Sequence, residues 1–97
     1  GVPAAEAAVA SAPGDARAQD LLGWAYHLAG RHAESEQALV KALALAPNLV
    51  SARYHLGSLY ASTGRPDLAR QHLRRAADLD TGGYYRQRAE ALLRDLE

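Results

Sequence analysis

Residues 22–31 read LGWAYHLAGR, and residues 56–65 read LGSLYASTGR. Five of the ten positions coincide at a shift of 34: Leu22/Leu56, Gly23/Gly57, Tyr26/Tyr60, Gly30/Gly64 and Arg31/Arg65. Working outward at the same shift adds Ala18/Ala52, Gln37/Gln71, Leu39/Leu73, Ala42/Ala76 and Leu45/Leu79. Chance matches are common in a chain this rich in Ala and Leu, but chance does not bring two Gly and two Tyr into one register. A fixed period of this length marks a repeat protein in which each unit buries its apolar face on the next.

Composition agrees with a helical unit. The 97-residue chain is 48% hydrophobic, yet it contains no Phe, Met, Cys or Ile. Its apolar mass is Ala and Leu, which favour helices, while strand-favouring residues are scarce. An all-α fold follows. Gly30-Arg31 and Gly64-Arg65 are read as helix ends, because glycine tolerates the left-handed conformation that follows a last turn. Pro66, two residues on, suits the first turn of the next helix.

The spacing resembles the tetratricopeptide repeat (TPR) family, in which Leu-Gly-x-x-Tyr lies on a first helix, A, and small and bulky residues follow on a second, B. Here Leu22-Gly23-x-x-Tyr26 leads to Ser35-x-x-x-Leu39, Ala42 and Pro47. Leu56-Gly57-x-x-Tyr60 leads to Ala69-x-x-x-Leu73 and Ala76. Glycine at 23 and 57 lets helix B approach helix A closely, and Tyr26 and Tyr60 fill the space one turn on. The pattern departs at Gln19 and Arg53, where a bulky residue is usual, and at Thr81-Gly82-Gly83, where a closing Pro is usual. The resemblance implies an α-α superhelix, a TPR solenoid of about six antiparallel helices in one domain, 1–97. Residues 3–12 form a partial helix B of a preceding repeat, with Ala5 and Ala8 at the positions of Leu39 and Ala42. Repeats occupy 16–49 and 50–83, and a capping helix occupies 84–96. Strict continuation of the period would bury Glu90 and Arg94, which is costly. A two-residue insertion at 81–83 is therefore expected, moving the packing positions to Ala89, Leu92, Leu93 and Leu96.

The resemblance also implies a concave face lined by the A helices. In the first repeat it presents Arg17, Asp20, Trp24, His27 and Leu28, and in the second Ser51, Tyr54, Ser58, Ala61 and Ser62. In the shifted frame the last helix adds Gln87, Glu90 and Arg94. The expected function is binding of a partner peptide or protein in this groove, anchored by Trp24 and Tyr54, since aromatic side chains dominate such interfaces. Trp24 has a second reading, as packing against the N-terminal helix or a missing repeat. Neither of two ligand-binding subclasses of the family fits: Asp20 and Trp24 stand where a carboxylate clamp would begin, and the one Asn, Asn48, cannot form an Asn ladder. Two further readings are self-association as a homo-dimer through the terminal helices, with Leu92, Leu93 and Leu96 exposed, and a non-catalytic appendage of an enzyme.

Other classes find little support in the residues. Formal net charge is zero, with eleven basic and eleven acidic side chains, and nucleic-acid binding needs a net basic footprint. Arg53, Arg70, Arg74, Arg75, Arg86 and Arg88 are read as a solvated face with Asp67 and Asp78 nearby. His27, His32, His55 and His72 lack the spacing of a zinc site and have no Cys to complete one. Glu34 and Glu36 point in different directions on a helix, so no catalytic site, cofactor or metal is expected. No run of about 18 apolar residues is present to span a membrane, and the start lacks a signal-peptide pattern. The compartment stays open.

Overall fold

A computed structural model describes all residues, 1–97, as six helices and no strands: α1 (Val2–Ser11), α2 (Ala16–Leu28), α3 (His32–Leu45), α4 (Val50–Ser62), α5 (Pro66–Leu79) and α6 (Tyr84–Asp95). Connections of three or four residues force successive helices to run antiparallel. Each helix touches its chain neighbours, and the only further pairs are α2 with α4 and α4 with α6. Packing is thus one-dimensional, as in a stack of repeats. No helix is long and apolar enough to cross a membrane.

The turns follow from glycine. Gly30 and Gly64 have φ of +78° and +77°, and the next amide closes each helix. Arg31 N–H donates to Tyr26 O at 2.8 Å, and Arg65 N–H to Tyr60 O at 2.9 Å. This six-to-one bond satisfies a carbonyl that the last turn leaves orphaned. Each arginine then lays its guanidinium on the tyrosine it caps, at 4.7 Å in the first repeat and 5.5 Å in the second.

Glycine at 23 and 57 has a different cause. A Cβ on Gly23 would fall 2.7 Å from Leu39 Cδ2, and one on Gly57 equally close to Leu73 Cδ2. Leu39 and Leu73 are completely buried, so helix B meets helix A where a side chain is missing. Ser35 reinforces the first of these contacts, its hydroxyl donating to Gly23 O at 2.6 Å. The main core joins Leu39, Leu56, Leu59, Tyr60, Leu73 and small alanines of the second repeat. A thinner cluster of Ala5, Leu22 and Ala38 lies at the N-terminal end.

The tyrosines also tie repeats together. Tyr60 O–H donates to Glu36 at 2.7 Å and Tyr26 O–H to Glu6 at 2.8 Å. Each links an A helix to the B helix before it. Burial, then the bond to Glu36, pushes the Tyr60 hydroxyl up to about 12. The two polar departures are absorbed locally. Gln19 is buried, and Arg53 donates to Pro47 O at 3.0 Å while its Nη1 lies 3.3 Å from His72 Nδ1.

The expected two-residue insertion at 81–83 is absent. Four residues join α5 to α6, as four join α3 to α4, and α2, α4 and α6 begin at Ala16, Val50 and Tyr84, one unbroken period apart. Glu90 nonetheless stays out of the core, for another reason. α4, packed against four other helices, buries Ala52, Leu56, Gly57, Leu59 and Tyr60, whereas α6, packed only on α4 and α5, buries only Ala89. Leu92, Leu93 and Leu96 pack against the core, and Glu90 pairs with Arg86 at 3.5 Å.

Asp80 holds the start of this helix. Its Oδ2 accepts from Tyr85 N–H at 2.9 Å and Arg86 N–H at 3.3 Å. A Cβ on Gly83 would strike this carboxylate, so glycine there keeps the cap in place. Asp80→Ala is expected to cost about 0.5–2 kcal/mol, the usual worth of an N-cap side chain. Urea unfolding would measure it, and a loss confined to α6 would show as faster amide exchange there. Unchanged stability would mean that the cap contributes nothing.

Candidate partner-binding face

Residues spaced by three and four on α2, α4 and α6 fall on one side of their helices, and the stack brings these sides together. Asp20 lies at the centre. It is 6% exposed, and both of its carboxylate oxygens are engaged: Oδ2 accepts from Ser51 O–H at 2.6 Å, and Oδ1 lies 2.7 Å from His55 Nδ1. The ionised carboxylate has only acceptors, so His55 Nδ1–H is the donor. These bonds join α2 to α4 across 31 and 35 residues of chain.

A row of rings runs beside this junction. Trp24 stacks on His27 at 5.0 Å and on His55 at 4.3 Å, with interplanar angles of 25° and 23°. His27 continues to His32 at 5.5 Å. On the other side His55 meets Tyr54 at 5.8 Å and Tyr85 at 6.2 Å, and Tyr85 meets Tyr54 at 5.5 Å. Tyr84 extends the row at 5.0 Å from Tyr85, with Arg88 laid over it at 3.5 Å. Two polar atoms near the surface of this face lack any protein partner, His27 Nδ1 and Ser58 Oγ, although both are shielded from solvent. Burial, then the charges of His32 and His55, holds His27 below its ordinary value, so near neutral pH its ring is uncharged. Burial also raises the Tyr85 hydroxyl, and the Asp20 charge adds to the effect.

Of the residues expected from sequence, Asp20, Trp24, His27, Ser51, Tyr54 and Ser58 lie on this face. Arg17 does not join the row. It sits at the exposed start of α2, along a separate groove walled by Ala46, Pro47 and Asn48. Ser62 turns back, its hydroxyl donating to Leu59 O at 2.9 Å. Ala61 packs against the core, and Leu28 is exposed on the far flank of α2, 70% accessible. On α6, Gln87 and Arg94 are exposed. Trp24 has a second environment: its remaining surface lines a cavity of about 290 Å³ with α1 residues Ala4 and Ala5.

Four rings of the row, His32, His55, Tyr84 and Tyr85, were missed from sequence. His55 lies four residues from Ser51 and three from Ser58, a helical spacing that puts it on their face, yet alone it reads as an ordinary histidine. Tyr85 lies one full period after Ser51, so the unshifted period pointed to it, and the assumed insertion concealed it.

Both Asp20 oxygens are hydrogen-bonded within the protein, and nowhere do three His, Cys, Asp or Glu side chains gather as a metal site would require. Among the basic residues, Arg70 pairs with Asp67 at 2.7 Å, and Arg75 donates to Asn48 at 3.1 Å.

Two family models, both described as tetratricopeptide repeat, match this chain, one over residues 26–96 and the other over residues 1–50. No curated protein matches it.

Proposed function

Because the chain belongs to the tetratricopeptide repeat family, whose repeats are generally protein-interaction modules, we propose that it binds a partner peptide or protein across the face of α2, α4 and α6, without catalysis. The observation that carries this reading is the ring row from His27 through Trp24, His55 and Tyr54 to Tyr85, which crosses all three A helices. Aromatic rings give large contact areas with few rotatable bonds.

Trp24 has a different role from that of a free platform. Both imidazoles stack on it, so it presents an edge and reports on the row. Tyr54 and Tyr85 are each half-buried on this face, and Tyr54 also packs against the main core. A peptide-display selection against the folded chain, followed by titration on Trp24 fluorescence, is expected to return ligands that perturb that emission. Tyr54→Ala and Tyr85→Ala are each expected to weaken them at least about tenfold, as loss of an aromatic hot spot does, with helix content unchanged by circular dichroism. Ligands that bind both variants as tightly as the parent would sink the reading.

A further inference from the structure

We infer that Arg53 and His72 form an acid-sensitive latch on the second repeat, closed while the imidazole is uncharged and released when it takes up a proton. Arg53 is one of the two places where the chain departs from its repeat pattern, a charged side chain where a bulky residue is usual. Its guanidinium makes two contacts: Nε–H donates to Pro47 O at 3.0 Å, and Nη1 lies 3.3 Å from His72 Nδ1. A guanidinium has donors and no acceptor, so His72 Nδ1 is the acceptor and the ring is neutral, with its proton on Nε2. The bond joins α4 to α5 and, through Pro47, to the connection that precedes α4.

The charges around the pair favour only the closed form. α5 packs on α4 and α6 and on no other helix. From α4, His72 meets Arg53 and the Tyr60 ring, whose centroid is 5.7 Å away. The Tyr60 hydroxyl is committed to Glu36, which also takes Arg65. From α5 itself comes Arg75, whose charge acts on Arg53 and which donates to Asn48 Oδ1. On the α6 flank, Arg86 reaches Ala77 O and pairs with Glu90, while Arg70 pairs with Asp67 and reaches Leu96 O. No carboxylate bonds to His72, and the acceptors beside the two arginines, Pro47 O and Asn48 Oδ1, are neutral. A proton on His72 therefore removes a hydrogen bond and sets imidazolium against guanidinium. Arg53 cannot relieve this by giving up its own proton. Burial, then the Arg53 charge, accordingly holds His72 below its ordinary value.

The device is confined to the second repeat. One period earlier the same two positions hold Gln19 and Ala38, neither of which titrates. In the unfolded chain His72 takes its proton near the ordinary value of about 6.5, and in the folded chain only at lower pH. Between the two, the unfolded state binds more protons. The stabilisation is therefore complete above about pH 6.5 and is lost as pH falls through the folded value. It rests on the α4–α5 pair alone and does not depend on partner binding.

Proton NMR of the four imidazoles tests the latch. His72 is expected to titrate below its value in the urea-unfolded chain. Arg53→Gln removes the charge, keeps a polar side chain and repeats Gln19 of the first repeat, and it is expected to raise that midpoint. Urea unfolding at about pH 7.5 and about pH 5.5 measures the consequence. The parent is expected to lose more stability between the two than His72→Asn, whose side-chain oxygen accepts from Arg53 at either pH. His27 is also held below its ordinary value, but it is present in both chains, so the difference belongs to His72. A His72 that titrates at or above its unfolded value overturns the inference, and so does one that Arg53→Gln leaves unmoved. Equal acid losses in the parent and His72→Asn overturn it too.

Discussion

Leu73→Ala is expected to lower the stability of the chain by about 2–5 kcal/mol, the range for truncating a fully buried leucine. Leu73 has no exposed surface and sits in the main apolar cluster, among Leu39, Leu56, Leu59 and Tyr60. The surrounding helices are held by their own neighbours and cannot all collapse into the space. For a domain of this length, total stability is on the order of 5–15 kcal/mol, so the loss is a large share of the whole. Urea unfolding followed by circular dichroism measures it. Leu22→Ala is expected to cost less, because Leu22 lies in the thinner N-terminal cluster and retains some exposure. Equal losses at the two sites would contradict a core centred on the second repeat.

Gly57→Ala is expected to destabilise by about 1–3 kcal/mol, as overpacking does. The added Cβ would lie 2.7 Å from Leu73 Cδ2 and Cγ, and 3.3 Å from the Leu73 backbone nitrogen. Two effects oppose each other here. Alanine is the better helix former by about 1 kcal/mol, which partly offsets the clash. The clash prevails because Leu73 is enclosed on every side and the backbone behind it must also give. The double variant separates the two contributions. Leu73→Ala removes the atoms that the new methyl group meets, so Gly57→Ala in that background is expected to cost much less. A coupling of about 0.5–3 kcal/mol is typical for residues in contact. Strict additivity would show that Gly57 is not there to admit Leu73.

These two residues were legible in the sequence, and so was most of the fold. Leu73 and Gly57 repeat Leu39 and Gly23 one period on, and the contact between them lies within a single helix pair. Gly30 and Gly64 were readable for a similar reason, since the left-handed turn they adopt is a property of the residue itself. The ring-lined face was readable only in part. Asp20, Trp24, His27 and Tyr54 stand at periodic positions on A helices, and the period locates them. His55 and Tyr85 are also periodic, but nothing local distinguishes them. Their place depends on which side chains approach from a neighbouring helix.

The sequence by itself determined an all-helical chain, two complete repeats with partial ones outside them, and the glycines that turn and close each pair. Every one of these is set by near neighbours in the chain, so a period and a residue type suffice. Tertiary structure alone decided the stack of Trp24 between two imidazoles, the commitment of both Asp20 oxygens to α4, and which residues of α6 are buried. Asp20 meets Ser51 and His55, which stand 31 and 35 residues away in sequence, only once the helices between them have formed and stacked. What α6 buries is set by the helices it meets, α4 and α5, with no helix B on its other side within residues 1–97. The repeat pattern does not contain this, because it describes units that have neighbours on both sides.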